Sequence, residues 1–300
     1  MPLKNLARFT CAIFLCASAA GHAAVLPEAV EGIKIPIAAE PTSRPMAVAY
    51  VPDYNRYYVA DGGLGVVSDG FSAPMSRSEI HVYDAQGKHL HSVKPGIDNR
   101  SLYFNPNTRQ LVSVSYDVSS DAGFLPGCGI FALEMDDKGN LNGSSKDLFG
   151  FNPAFGDAAT MPSFDPSTNR YFAKQERSNK VLIVDPEKRE KIDEITLDLV
   201  TAKVAFDDIS DHYIAFTGLP GEELLALDVD HKAVLVFALS GKFVGRSALP
   251  ANLKLRAKSH FNGLGYANGM MFVYHDSEGE FGTYHGYRVS DQAVTVLPGK

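Results

Sequence analysis

The densest group of potential metal ligands in the sequence lies near its C-terminal end. It covers residues 275–280 (HDSEGE), which begin with His275 and Asp276, and His285 follows about one strand further on. A β-hairpin could bring the two imidazoles together, and imidazole and carboxylate groups are common ligands of divalent metals. No two-histidine helix motif, cysteine pair or calcium-binding loop accompanies them. We therefore expect no cofactor, with a divalent ion such as calcium at His275, Asp276 and His285 as the alternative.

His275 is also a candidate for acid–base chemistry, with Asp61 as the carboxylate that would pair with it. Such a pair would suit a hydrolase or lyase, metal-assisted or not, that acts on a small substrate in a pocket. The motifs that usually accompany this chemistry are missing, because the sequence has neither a Gly-x-Ser-x-Gly elbow nor a phosphate-binding glycine loop. This favours a protein that is not an enzyme and keeps catalysis as the alternative.

A repeated pattern of strands must position these groups. A short apolar run, a turn with Pro or Asp, and an apolar run with an aromatic residue recur together along the chain. The five copies are residues 47–61, 101–115, 161–175, 203–217 and 263–275. Each copy is followed by an apolar strand that ends in a polar turn, and then by a short final strand. Four antiparallel strands per unit, repeated at intervals of roughly 45–60 residues, are typical of a β-propeller.

We therefore predict an all-β fold, a β-propeller of four-stranded antiparallel blades, with five blades recognisable. A sixth blade is the alternative, because the fourth unit holds two candidates for its second strand, 213–217 and 224–230. Residues 30–39 have the pattern of an extended strand ahead of the first unit. We expect this strand to complete the last blade and close the ring, which would leave no free sheet edge. Residues 24–300 would then form one domain.

Individual blades resemble those of a known superfamily. Residues 57–61 (YYVAD) followed by 80–88 (IHVYDAQGK) resemble a blade of NHL-type or YVTN-type propellers, and residues 179–186 (NKVLIVDP) resemble the YVTN third strand. The likeness extends over most of the chain, at the level of single blades. Because this scaffold is shared by enzymes, cofactor-binding proteins and interaction modules, the resemblance implies a fold and no particular function.

Alignment of the five units brings polar residues to equivalent positions. The residue that ends the second strand of each unit is polar, and we expect this set to surround one opening of the channel. Its members are Asp61, Ser115, Gln175, Thr217 and His275. A basic set lies just ahead of the inner strands and comprises Arg44, Arg100, Lys203 and His260. The pattern predicts a polar ligand pocket, although polarity also begins at strand ends for purely structural reasons.

Two long connections should lie beside that opening. Residues 61–78 and 116–128 each join a second strand to a third strand, in neighbouring units. Long ordered loops on a rigid scaffold commonly carry binding residues. We call the face of the propeller that bears these connections and the polar strand ends the loop face.

The first residues predict export. Lys4 and Arg8 precede an apolar stretch over residues 9–20, and Gly21 and Ala23 satisfy the small-x-small cleavage rule. We therefore expect residues 1–23 to be a cleaved signal peptide, and the mature protein to be periplasmic or secreted without stable membrane insertion.

Charge narrows the class of partner. The formal net charge of −7 argues against a nucleic-acid backbone as the main partner. The sequence therefore predicts an exported β-propeller that binds a small ligand or a protein through its loop face. The alternative is a hydrolase or lyase that acts in the central pocket.

Overall fold

The fold is known from a computed structural model. It describes residues 24–38, 44–62, 78–115, 129–149, 155–157, 160–255, 263–276 and 278–291. Within these ranges the chain forms twenty β-strands, the short α-helix α1 (Leu199–Ala202) and a 3-10 turn at Phe206–Asp208. No helix in the described ranges is long and apolar enough to cross a bilayer.

Three separate antiparallel sheets of four strands follow one another along the chain. The first contains β2 (Arg44–Val51), β3 (Arg56–Gly62), β4 (Ile80–Asp84) and β5 (His89–Val93). The second contains β6 (Ser101–Asn105), β7 (Gln110–Ser115), β8 (Gly129–Met135) and β9 (Leu141–Asp147). The third contains β10 (Ser163–Asp165), β11 (Arg170–Lys174), β12 (Lys180–Asp185) and β13 (Glu190–Thr196). In each sheet the spatial order of the strands equals their chain order, as the repeated pattern predicts.

The fourth sheet has eight strands. In chain order they are β1 (Val25–Pro36), β14 (Ala215–Phe216), β15 (Leu224–Asp228), β16 (Ala233–Phe237), β17 (Phe243–Ala248), β18 (Leu264–Ala267), β19 (Met270–His275) and β20 (Thr283–Ser290). Strand β1 lies between β17 and β20. It runs antiparallel to β20 and meets β17 through one parallel pair, Glu28 with Ala248.

Strand β1 begins earlier and ends earlier than the segment 30–39 that the sequence pattern suggests. Two register shifts, between Val25 and Val30 and between Glu31 and Ile33, interrupt the pairing with β20. Such irregularities break the alternation of inward and outward residues, so the pattern hides the first residues of the strand.

The fourth repeat differs from its predicted form. Residues 203–217 do not make a hairpin, because the segment starts at the C-cap of α1 and continues into the 3-10 turn. Lys203 closes α1 in the left-handed region, with φ 56°. The inner strand is β14, and the second strand is β15, which corresponds to the other candidate, 224–230.

The first strands of the units line a central channel. Strands β2, β6, β10, β14 and β18 contact one another in a ring that returns from β18 to β2. Gly265 on β18 allows the last of these contacts, since a Cβ there would lie 2.6 Å from the backbone nitrogen of Val48. Aromatic pairs also join neighbouring sheets. They are Tyr57–Phe272, Tyr103–Phe164 and Phe172–Phe216, with ring centroids 5.6, 4.7 and 5.0 Å apart.

The channel contains a small cavity. Between the inner strands lies a cavity of about 50 Å³ whose walls include the aromatic side chains of Tyr103, Phe164, Tyr213, Phe216 and Tyr266. A space of that size has room for a few water molecules. It is smaller than the pockets that enclose typical organic ligands.

Candidate functional site

Four of the five predicted strand-end residues occupy equivalent places. Asp61, Ser115 and His275 lie at the ends of β3, β7 and β19, and Gln175 directly follows β11. Thr217 does not belong with them, because it follows the inner strand β14 and its hydroxyl donates to the Glu222 carbonyl, 2.8 Å away. Inner and second strands are antiparallel, so Thr217 lies at the opposite end of its sheet.

The side chains of this set make bonds within their own sheets. The carboxylate of Asp61 accepts the Glu79 backbone N–H at 2.7 Å. The amide nitrogen of Gln175 donates to the carbonyls of Phe155 and Ala173, at 3.0 and 2.9 Å. Among the residues that the structure describes, no hydrogen bond or ion pair joins Asp61, Gln175 or His275 to one another. The shared pocket therefore stays a prediction.

Two members of the predicted basic set, one buried and one exposed, lie among the residues whose side chains the structure describes. Arg100 is fully buried, with its Nε 3.1 Å from an oxygen of Asp98. Lys203 serves as the C-cap of α1. Arg44 begins β2, its side chain is not described, and His260 lies outside the described residues.

One group of ligand atoms does converge at the loop-face end of β19 and β20. Nitrogen atoms of His275 and His285 and an oxygen of Glu278 all lie within 4.8 Å of one another. The Glu278 Oε2 atom is 3.2 Å from His275 Nδ1 and 3.0 Å from His285 Nε2. We call these three residues the His–Glu–His cluster. The antiparallel register that pairs Val273 with His285 and His275 with Thr283 makes the two histidines diagonal neighbours on one sheet face.

Strand β1 supplies a second layer around this cluster. Glu31 Oε2 lies 2.9 Å from His285 Nδ1, and Lys34 Nζ lies 2.8 Å from Glu278 Oε1. The Tyr287 hydroxyl is also within 3.2 Å of His285 Nδ1. A hydrogen on Nδ1 that faces the Glu31 carboxylate leaves the lone pair of His285 on Nε2, which points at Glu278. The hydrogen bond from Lys34 lowers the pKa of the Glu278 carboxyl.

Burial gives the cluster an anchored side and an open side. The His285 and His275 side chains are 4% and 10% exposed, whereas those of Glu278 and Glu31 are 36% and 41% exposed. The imidazoles are therefore fixed in the sheet, and the carboxylates face solvent. Three protein donors beside an accessible position are the arrangement of a metal site that keeps a coordination position for water or another ligand.

The third member of the cluster is Glu278, another residue of the stretch 275–280, in place of the predicted Asp276. Asp276 is exposed, and the group of converging ligand atoms does not include it. Glu278 follows His275 by three residues, a spacing at which a turn can fold the carboxylate back over the imidazole. That spacing is the signal in the sequence that distinguishes Glu278 from Asp276.

Lys174, next to Gln175, is an unusual buried charge. Its Nζ donates to the carbonyls of Gln175 and Ser178, at 2.7 and 2.6 Å, and the side chain is fully buried. Burial lowers the pKa of Lys174 to about 8, although the carboxylates of Asp211 and Asp157 oppose this shift. Loss of the Lys174 proton therefore begins near physiological pH.

This pKa predicts a stability that rises with pH. Between pH 8 and about 10.4 the unfolded chain still holds the Lys174 proton and the folded chain has released it, so alkali favours folding. We expect the free energy of unfolding of the wild type, relative to Lys174→Met, to grow by about 2.5 kcal/mol between pH 7 and pH 10. Urea unfolding of both proteins at pH 7, 8.5 and 10 measures this difference. Parallel pH profiles would contradict it.

Comparison with known proteins yields structural similarity alone. No family model matches the chain, and no curated protein matches it. The glutaminyl cyclase of Myxococcus xanthus superposes with a TM-score of 0.51 at 10% identity, over 88% of this chain and 97% of that one. BamB from Moraxella catarrhalis gives 0.35 at 8% identity, over 87% and 97%. A chain of a nidogen/laminin complex gives 0.39 at 9% identity, over 68% and 80%.

These proteins are β-propellers. Identities this low bear on the fold alone, and among the three only the glutaminyl cyclase superposes closely enough to support an argument about it. Together with the repeated four-stranded antiparallel sheets around a channel, this similarity shows that the chain has an all-β fold of the propeller type.

Proposed function

We propose that the protein is an exported β-propeller that acts as a binding module, and that its loop face holds a divalent transition-metal ion in the His–Glu–His cluster. The observation that carries this proposal is the convergence of three ligand atoms within 4.8 Å on a fixed hairpin. The cluster is buried on its histidine side and open on its carboxylate side, so an ion could enter from solvent.

The donor set favours zinc or a similar metal over calcium. Calcium is bound through six to eight oxygen atoms, whereas imidazole nitrogen suits zinc, copper, nickel and iron. Bonds of about 2.0–2.1 Å in a tetrahedral zinc site place ligand atoms about 3.3 Å apart. The two contacts of Glu278 with the histidines, at 3.2 and 3.0 Å, are close to that separation.

Binding at the loop face is better supported than catalysis in the central pocket. The channel cavity of about 50 Å³ leaves little room for a substrate. The carboxylate near His275 is Glu278, whereas Asp61 pairs with a different histidine, His81. An acid–base pair of His275 and Asp61 therefore has no support in these contacts. The open metal position would instead accept a donor atom from a small ligand or from a side chain of a partner protein.

We also propose that the propeller has five blades and that the protein is exported. The eight-stranded sheet divides into β14 to β17 and a second group of β18, β19, β20 and β1, and these join through the single Glu28–Ala248 pair. Counted this way, the sheets form five four-stranded blades, of the NHL or YVTN type that the blade motifs resemble. The basic and apolar segment over residues 1–23 supports a periplasmic or secreted location.

Metal binding by purified protein tests this proposal. Residues 24–300, stripped of metal, should bind one zinc ion per chain in calorimetric titration and bind calcium far more weakly. We expect His285→Ala and Glu278→Gln each to weaken zinc binding by about 100-fold or more, since each removes one of three ligands.

A matched control is available on another turn. His231 also faces a carboxylate, with Nδ1 3.0 Å from Asp228, but it lies outside the cluster. His231→Ala should leave the zinc affinity unchanged. The proposal is wrong if the wild type binds no zinc, or if His285→Ala binds it as tightly as the wild type does.

A further inference from the structure

A second chain of polar contacts crosses the first sheet. Asp61 on β3, His81 on β4 and Ser92 on β5 lie side by side on three adjacent strands. His81 and Ser92 are direct cross-strand neighbours in the register of β4 and β5. His81 Nδ1 is 2.7 Å from Ser92 Oγ, and His81 Nε2 is 3.3 Å from Asp61 Oδ2. The metal proposal uses none of these residues.

The proton positions in this chain follow from the charge of Asp61. Its other oxygen accepts the Glu79 backbone N–H at 2.7 Å, which fixes the carboxylate. An ionised Asp61 favours a hydrogen on Nε2 of His81 and leaves Nδ1 as an acceptor. The hydroxyl of Ser92 can then donate to Nδ1. A serine that donates to an imidazole, which itself donates to a buried carboxylate, has the roles of a nucleophile, a general base and an orienting group.

The proposed nucleophile is exposed, whereas the two residues behind it are buried. Asp61 and His81 are 3% and 1% exposed, whereas Ser92 lies on the exposed side of an outer strand. A substrate could reach the serine oxygen from solvent while the base stays shielded. The imidazole is reversed relative to the usual triad, since Ser92 contacts Nδ1 and Asp61 contacts Nε2. Either nitrogen can accept the serine proton while the other donates to the carboxylate, so the three residues keep the same roles.

A second histidine lies beside the same oxygen. His89 Nε2 is 2.9 Å from Ser92 Oγ, and its ring packs edge-on against Tyr83 at 5.4 Å. An N–H at that nitrogen would donate to Ser92 Oγ and stabilise negative charge that develops on this oxygen as it loses its proton. Burial lowers the pKa of His89, which favours a neutral ring with one N–H donor.

We propose that Ser92 is the nucleophile of an esterase activity, with His81 as its general base and Asp61 as the residue that orients His81. Ser92 Oγ would bond to the carbonyl carbon of a small acyl ester, and its proton would pass to His81 Nδ1. The C–O bond to the leaving group would then break, and the departing oxygen would take that proton. Water would hydrolyse the acyl-serine by the same route and restore the free hydroxyl.

Covalent labelling and hydrolysis assays on the full mature chain test this activity. A fluorophosphonate should label one serine, identified as Ser92 by peptide mass mapping. We expect Ser92→Ala to abolish the label and to lower the hydrolysis of p-nitrophenyl acetate by about 100-fold or more. Because Ser92 is an exposed residue on an outer strand and touches none of the metal ligands, Ser92→Ala should fold and bind zinc as the wild type does. Asp61→Asn should slow labelling by a similar factor.

Ser144 gives a matched control, because it is an exposed serine on β9, the outer strand of the next sheet. Ser144→Ala should keep both the label and the hydrolysis rate. Labelling of Ser92 no faster than that of Ser144, or an unchanged hydrolysis rate in Ser92→Ala, would overturn the proposal. Neither result would affect the metal proposal, whose readout is zinc binding.

Discussion

Saturating zinc should raise the midpoint of thermal unfolding of residues 24–300 by about 5–10 °C. An ion that binds only the folded chain stabilises it by about 2.7 kcal/mol when its concentration is 100 times the dissociation constant. In proteins of 150–250 residues, each kcal/mol shifts the midpoint by about 2–4 °C. The ligands come together only when β19, β20 and the intervening turn are folded, so the unfolded chain should not compete for the ion.

The position of the cluster explains why its effect should reach the whole domain. Glu31 and Lys34 of β1 hold His285 and Glu278, so an ion there would tie the first strand to the last hairpin. Calorimetric scans across a zinc series should show the shift in the wild type and in His231→Ala, and lose it in His285→Ala. A full zinc-dependent shift in His285→Ala would place the ion elsewhere.

The repeated sheets were predictable because their turns are built from local contacts. Asp84, for example, accepts the backbone N–H groups of Gln86 and Lys88, and Gly87 takes φ 79° between them. Such turns need only the residues they contain, so a short window of sequence carries the signal. The alternation of apolar residues then specifies the strands on either side.

The prediction of a hairpin in the fourth repeat was wrong because the structure of this segment depends on residues that are distant in the sequence. Residues 203–217 have the apolar and turn pattern of a hairpin, but the segment begins with Lys203, the C-cap of α1, and the 3-10 turn at Phe206–Asp208 occupies part of it. The inner strand is instead β14, where Phe216 stacks on Phe172 of the neighbouring sheet at 5.0 Å. A pattern within one segment contains no information about that partner. Thr217 was misplaced for the same reason.

Prediction of the site was also limited to contacts between residues that are close in the sequence. The approach of His275 and His285 follows from a hairpin, and the sequence pattern could suggest it. Glu31 and Lys34 reach these residues only because β1 pairs with β20, so no local pattern could have assigned them to the site. Asp61 was considered as a partner for His275, but the strand register sets it beside His81, a residue of its own sheet.

The second large effect that we expect concerns β1 itself. Ile35→Ala should lower the free energy of unfolding by about 2–5 kcal/mol, the usual cost of removing a fully buried isoleucine side chain down to its β-carbon. Ile35 is completely buried and packs in one cluster with Tyr57, Tyr83 and Phe272. Those residues belong to the first and last sheets along the chain, so the substitution opens a cavity where the two ends of the ring meet.

Ile192→Ala is the control, because Ile192 lies on the outer strand β13 and is 41% exposed. That substitution should change the free energy of unfolding by about 0.5 kcal/mol or less. Urea unfolding, monitored by circular dichroism, gives both values. Strand β1 packs closely on the first sheet, since a Cβ on Gly87 would lie only 2.4 Å from the carbonyl oxygen of Lys34. This packing supports a much larger loss of stability in Ile35→Ala than in Ile192→Ala. If the two variants lose equal stability, β1 is peripheral and the zinc-dependent shift should be correspondingly small.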